Sequence, residues 1–590
     1  MTTCTLDRAQ AIAARSGGTA GKTTTASCGR TLHMGFFFDG FARNLEHDRA
    51  EDRISNIGRL FLVHPRPESD GAFDAYRKVY FTGLGADYSA DGGTIAGGVA
   101  RTLVENLGDI PKDLAVDETI QGGKDLLDGR NWWERLGRTL DELADKPQKG
   151  VKVLRDAAIG SVFEGWAPLR DTAFAGMLMK SGADTRLEGA LARFHKDVRE
   201  VKGASNIPLR WIRVSVFGFD FGATLARAFL HALLKEDTGG AELQLVFAGL
   251  FDGVDRSAGS NPILEQFLPF RNDLDDGGLV PKQVQSVLHL IAAHERRFYR
   301  RARLLGSLQR GWREQLMPGV SEDIGGGLAP GEQKPSAELA LASLHRMYRA
   351  AHQAGVPFIA MDQLAEADVV TAELFVFDDK VHGRSAAALA ERYLRIGGHA
   401  RPGRDGFTVH MRLYIRWLAA LWYDYQASLK RLADEEDRLH ANQYGSGKIS
   451  GLLGLPREDT AQRQLRLERT EALREERRTL RQQLSWLDDV DEEARSLRNR
   501  HHVYGLQAAG GDRHHFAMQA TLLDEWFAPK PARLDPGIDA LFRHFVHDKL
   551  ALSTAQRTAR SLAGENYFAI RGFDVPDSED PIPLFGAQVF

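Results

Sequence analysis

The chain reads as an α/β protein with a mostly parallel sheet, a large helical insertion and a C-terminal helical module. Three observations carry that reading. Strand-like apolar runs alternate with helix-like segments through the first part of the chain, as in parallel sheets. Two of these runs, T-L-H-M-G-F-F-F (Thr31 to Phe38) and L-Q-L-V-F-A-G-L-F (Leu243 to Phe251), are nearly continuous apolar sequence ending in Asp-Gly. Strands buried on both faces have that composition. Third, W-I-R-V-S-V-F (Trp211 to Phe217) passes through a tight turn into A-T-L-A-R-A-F-L-H-A-L-L, a strand–turn–helix unit with small residues in the first helical turns.

The other elements follow from the same periodicities. Ser55 caps a helix start in S-N-I-G-R-L-F-L. K-V-Y-F-T-G-L-G (Lys78 to Gly85) is a second strand entering a glycine-rich loop, and residues 86–203 read as an insertion of helical character. Val284 to Phe298 has helical spacing, Leu316 to Gly327 reads as a loop, and Glu373 to Ser385 as a late strand carrying His382. The aromatic run from Trp417 to Tyr425 fits a core helix or an interfacial membrane surface. Asp459 to Arg500, rich in Arg, Glu and Leu, fits a long surface helix or helical hairpin that is solvated or docks a partner. The divisions expected are a flexible leader (residues 1–30), an α/β module (31–405) and a mostly helical module (406–590) with a final strand at about 566–573.

Size and composition narrow the function. At 590 residues more than one domain is expected. A 43% hydrophobic and 26% charged composition is that of an ordinary globular protein, and a net charge of −4 gives no reason to expect a nucleic-acid partner. Two cysteines, Cys4 and Cys28, exclude a disulfide framework and suit synthesis in a reducing compartment. The N-terminal stretch has no signal-peptide core, and no apolar run is long enough to span a bilayer.

Gly218-Phe219-Asp220-Phe221-Gly222 has the pattern of a G-x-S-x-G nucleophile elbow, with an aspartate at the nucleophile position. The small residues suit the crowding of such a turn. Asp220 either caps the helix, acts as a nucleophile or base, or contacts a metal or polar ligand. Asp39, Asp220 and Asp252 are all expected at C-terminal strand ends, where ligands bind in open α/β folds. With Asp323 they form a conceivable Mg²⁺ or Ca²⁺ set, although no cofactor is expected and loop capping by Asp39 and Asp252 is the simpler reading. His294 and Glu295 read as structural.

Seven blocks in order, H-M-G-F-F-F-D-G, F-T-G-L-G, F-G-F-D-F-G-A-T-L-A-R-A-F, G-L-F-D-G-V, H-E-R-R-F, P-G-V-S-E-D-I-G-G-G and N-Y-F-A-I-R-G-F, resemble the type VI secretion phospholipase effectors. The resemblance covers nearly the whole chain from Thr31 and implies an α/β-hydrolase module acting on lipid esters of a neighbouring bacterium's membrane. It implies delivery from the bacterial cytoplasm to the target periplasm or membrane, a secretion-spike component as carrier, and a cognate immunity protein. It also implies Asp323 as triad acid and His382 as base, with Asp39 and Gly40 near the oxyanion region; should His382 lie away from the site, His410 is the next candidate base. The departures are at the centre. The family's G-F-S-R-G-A has Asp220 for serine and Phe221 for arginine, its F-D-T-V has Gly253 for threonine, and its H-S-D is Ser321-Glu322-Asp323. Its D-G-T-x-N-N opening is Asp39-Gly40-Phe41-Ala42-Arg43-Asn44. The expectation is therefore an effector whose serine chemistry is altered or lost. An active hydrolase using Asp220 and a non-catalytic binding or delivery protein stay open beside it.

Overall fold

The computed structural model describes residues 29–84, 183–254, 279–297, 300–397, 401–445, 460–504, 511–548 and 566–575. The leader and most of the expected insertion lie outside them. Six parallel strands form the main sheet: β1 (Arg30–Phe38), β2 (Asp74–Phe81), β3 (Leu209–Phe219), β4 (Glu242–Phe251), β5 (Ser286–Ala292) and β7 (Trp312–Met317). Their spatial order is β2-β1-β3-β4-β5-β7. The fold is α/β with a parallel main sheet, as the alternation of elements predicts.

Alternation along β1 explains the layering. Leu32, Met34, Phe36 and Phe38 join one cluster with Ala226, Phe229, Leu230 and Leu233 of helix α4 (Phe221–Leu233) and Phe194, Val198 and Val201 of helix α3 (Ala183–Gly203). Helices α1 (Leu45–Ala50) and α2 (Asn56–Val63) precede these, and α2 lies against β1. On the second face Phe37 stacks on Phe217 at 5.1 Å. Phe358 meets Phe217 and stacks on Tyr348 at 4.9 Å, on helix α6 (Leu339–Gln353), which follows the short α5 (Ser321–Gly325). Each fully buried aromatic contributes about 1.5–3 kcal/mol. The core is thus a phenylalanine-rich sheet covered on both sides.

Register brings the strand ends together. Phe38 aligns with Phe81 and Gly218, Phe219 with Phe251, Phe251 with Leu290, and Ala292 with Met317. The segments after all these strands therefore share one edge. The chain reverses direction in the sheet between β1 and β3, which opens the crevice where such folds bind ligands.

Four elements differ from expectation. Val284 to Phe298 contains the central strand β5, not a helix, because a strand buried on both faces is apolar throughout and matches helical spacing by accident. The Leu316–Gly327 segment begins in β7 and contains α5. The late strand is only a hairpin of two-residue strands, β8 (Lys380–Val381) and β9 (Arg384–Ser385), outside the main sheet. The closing strand is reduced to β10 (Phe573–Asp574), paired with β6 (Ala302–Arg303).

The chain divides into two compact units, residues 1–407 with 540–590, and residues 408–539. The described C-terminal residues, 540–548 and 566–575, belong to the sheet unit. In the second unit the aromatic run is core: Trp422 packs on Trp526 at 5.6 Å, and Trp417 and Trp526 donate to Asp539 and Asp491. Tyr423 is exposed. The Arg/Glu-rich stretch forms two helices, Thr460–Leu484 and Trp486–Tyr504, and Arg469 and Arg474 of the first meet Glu435 and Glu436. No helix among the described residues is long and apolar enough to cross a membrane.

Candidate active site

β3 ends in the expected elbow. Asp220 has φ 55° and ψ −124°, a strained conformation for a residue with a side chain, and α4 begins at the next residue. Its N–H still donates to Phe251 O at 3.0 Å, so the strand ladder holds it up to the turn. Crowding explains the glycines. A Cβ on Gly222 would sit 2.3 Å from Phe38 O, and one on Gly218 would sit 2.5 Å from Ala223 Cα.

Asp220 does not cap the helix with its side chain. Its carboxylate is fully buried and turns toward the loop after β1 and toward Arg300. Oδ2 receives Arg300 Nη1 at 3.2 Å and, at the long limit of 3.5 Å, the Phe41 N–H. Oδ1 has no hydrogen-bond partner among the described residues. Burial pushes the Asp220 carboxyl up to about 6, against the opposing pull of Arg300, with Asp252 and Glu322 adding to the rise.

Arg300 ties the elbow to the loop after β7. Its Nη1 donates to Ser321 Oγ at 2.9 Å and its Nη2 lies 3.4 Å from Glu322 Oε1. Arg297 bridges Glu322 (2.8 Å) and Glu295 (2.5 Å). Burial alone would raise Glu295, but Arg297 and its hydrogen bonds hold it down at about 2. His294 accepts the Gly319 N–H at 2.9 Å. The H-E-R-R run is thus a buried clamp on the loop that carries Asp323.

Asp323 is completely buried and is engaged with His547, not with His382. His547 Nδ1 lies 2.6 Å from Asp323 Oδ1, and the His547 N–H donates to Oδ2 at 3.0 Å. A carboxylate at Nδ1 fixes the proton there and leaves Nε2 as the acceptor. That Nε2 is buried and has no hydrogen-bond partner among the described residues. Arg296 pairs with the adjacent Asp548 at 2.7 Å and fixes the segment. His382 occupies the exposed turn of the β8–β9 hairpin with φ 51°, where Gly383 follows, so its base assignment is corrected by this geometry. His410 belongs to the helical unit, where burial holds its ring down to about 4.

Asp39 and Asp252 are both engaged by the protein's own groups. Asp39 Oδ1 accepts the Gly40 N–H at 2.8 Å, and Oδ2 accepts Ser55 Oγ at 2.5 Å and Tyr80 OH at 2.6 Å. These bonds shape the loop that presents Phe41, while burial lifts the Asp39 carboxyl to about 6. Asp252 is bound by both Arg571 terminal nitrogens and accepts the Ala292 N–H at 2.8 Å. Asp220 and Asp252 face arginines and Asp323 faces a histidine. No group of three or more His, Cys, Asp or Glu among the described residues is placed to hold a metal ion.

Arg300 and His547 were missed in the sequence. Arg300 lies just past the H-E-R-R-F block, and His547 lies 224 residues beyond Asp323 in H-F-V-H-D with no local motif. Neither carries a spacing signal.

No protein-family model matches the chain, and no curated protein matches it. Among solved structures, an uncharacterized protein from Pseudomonas aeruginosa aligns with a TM-score of 0.52 at 17% identity, over 97% of this chain and 83% of that one. The Tle1 effector bound to the VgrG spike of the type VI secretion system aligns with a TM-score of 0.32 at 16% identity, over 66% of this chain and 88% of that one. The first likeness shows a shared fold; the second is too low to carry an argument.

Proposed function

We propose that this chain is a type VI secretion effector on an α/β-hydrolase scaffold, similar to antibacterial phospholipases, in which serine-dependent ester chemistry has been lost. Seven ordered sequence blocks support the effector assignment, and with it a spike component as carrier, an immunity protein and a target-cell membrane as site of action. One observation carries the loss: the elbow residue is a buried carboxylate, with Oδ2 on Arg300 and facing the Phe41 N–H. A carboxylate attacking an ester carbonyl would form an anhydride while expelling alkoxide, which is unfavourable. In an elbow of this kind the loop N–H also serves the substrate oxyanion, and here it faces the protein's own carboxylate.

The test is hydrolysis of phospholipid vesicles and short-chain nitrophenyl esters, together with export from the producing cell. Ester turnover is expected to stay at background. Asp220→Ser is expected to restore little, because Arg300 then loses one of its two buried counter-charges, keeping Glu322, and Phe221 still replaces the family arginine. Export is expected to stop when the contractile sheath is removed. Phospholipid turnover abolished by Asp220→Ala, or export independent of the sheath, overturns the corresponding half of the proposal.

A further inference from the structure

The elbow residue is sealed inside the sheet unit. Asp220 is completely buried, and Arg300, itself only 3% exposed, holds its Oδ2 at 3.2 Å. A carboxylate without solvent contact meets no ligand from solution until something moves. What keeps Arg300 in place is the C-terminal segment. Arg571 Nε donates to Arg300 O at 2.9 Å, and the Ala302 N–H donates to Gly572 O at 2.9 Å. Arg301 Nη2 donates to Phe573 O at 3.0 Å, and Arg296 Nη1 to Tyr567 O at 3.2 Å. Both terminal nitrogens of Arg571 also bind Asp252, which follows the strand beside the elbow. These residues stand apart from the main sheet. β10 and β6 form a two-stranded sheet of their own, so releasing residues 566–574 breaks no bond of the six-stranded ladder.

We infer that residues 566–574 are a strap that closes the elbow, and that Asp220 becomes reachable when the strap and Arg300 leave together while the main sheet stays folded. The inference goes beyond the loss of ester chemistry and is independent of secretion. Proteins open locally in cooperative units whose cost lies below that of global unfolding. This unit is bounded by charge. Opening parts Arg571 from Asp252 and Arg300 from Asp220, and hydration of all four groups offsets much of the lost attraction. Asp220 also makes the closure depend on pH. The groups facing it are Arg300 and the Phe41 N–H, then the charges of Asp252, Glu322 and Arg297. Burial pushes its carboxyl up to about 6 in the closed form, and hydration in the open form returns it toward 3.8. The closed form therefore binds the proton more tightly. Closure is firmest below the open-form value and weakens as pH rises through the closed-form one.

The experiment is hydrogen exchange by mass spectrometry on the full chain, with carbodiimide labelling of carboxyl groups alongside. Peptides covering 300–303 and 566–574 are expected to exchange together, at least about 10-fold faster than β3 and β4 after correction for intrinsic rates. Their opening is expected to grow about 100-fold between about pH 4 and pH 7, and to lose most of that dependence in Asp220→Asn. At one pH, Asp220 is expected to be labelled at the pace of this opening, far more slowly than the exposed Asp362. Arg571→Ala is expected to raise both readings at least about 10-fold while β3 keeps its protection. Exchange and labelling of the unmodified protein need no variant, so they decide even if Arg571→Ala fails to fold. Exchange of both peptides only at the rate of β3 and β4 overturns the inference, as does labelling of Asp220 as fast as Asp362. Either outcome leaves the effector proposal standing, because that rests on ester assays and export.

Discussion

At the scale of single residues, Asp220 is a carboxylate held neutral more easily than an ordinary one. Its folded value of about 6 lies above the unfolded value near 3.8, so the folded state binds the extra proton between the two. Its contribution to stability is full below the unfolded value and is lost as pH rises through the folded one. The unmodified protein is therefore expected to lose about 2–3 kcal/mol relative to Asp220→Asn between about pH 4 and pH 7. Urea denaturation at both pH values checks this, and a flat difference would refute the raised pKa.

At the scale of elements, the elbow stands on backbone clearance. An added methyl on Gly222 meets the carbonyl oxygens of Phe38 and Asp39 at 2.3 and 2.4 Å, and neither can move without breaking the β1 edge. Gly222→Ala is expected to cost about 3 kcal/mol, at or beyond the upper end of the usual overpacking range, measured by chemical denaturation. A neutral result would mean that the turn relaxes freely. The C-terminal segment is held in a different way, by charge. Arg571 and Asp252 are both completely buried, and removing one partner leaves the other uncompensated. Arg571→Ala should destabilise by about 3–5 kcal/mol, with a smaller loss when Asp252→Asn is added. Additive losses in the double variant would show that the pair does not interact.

At the scale of the whole molecule, the sheet unit is discontinuous in sequence. Residues 540–590 supply His547 to Asp323, Asp548 to Arg296 and Arg571 to Asp252. A chain ending at residue 539 removes three buried partners at once. It is expected to lose cooperative unfolding of the sheet unit, seen as rapid limited proteolysis within β4 to β7. A protease-resistant sheet in that truncation would show that the segment is dispensable. By contrast, the exposed Arg–Glu pairs of the helical unit are worth little individually, so raising salt should barely shift its melting.

Sequence alone determined the α/β class, strands β1 to β4 and the elbow at Asp220, because each depends on short-range facts: apolar runs, turn chemistry and small residues beside a crowded turn. The family resemblance also drew attention to Asp323, which the fold sets against His547. Sequence pattern misread β5, whose burial on both faces erases the alternation that distinguishes strand from helix. It chose His382 because that residue follows a strand-like run and precedes glycine, features that an exposed hairpin shares. His547, Arg300 and Arg571 could not be assigned to the site from local pattern. Their roles depend on which buried charge each one meets, and only the folded chain brings residues more than two hundred positions apart within hydrogen-bonding distance.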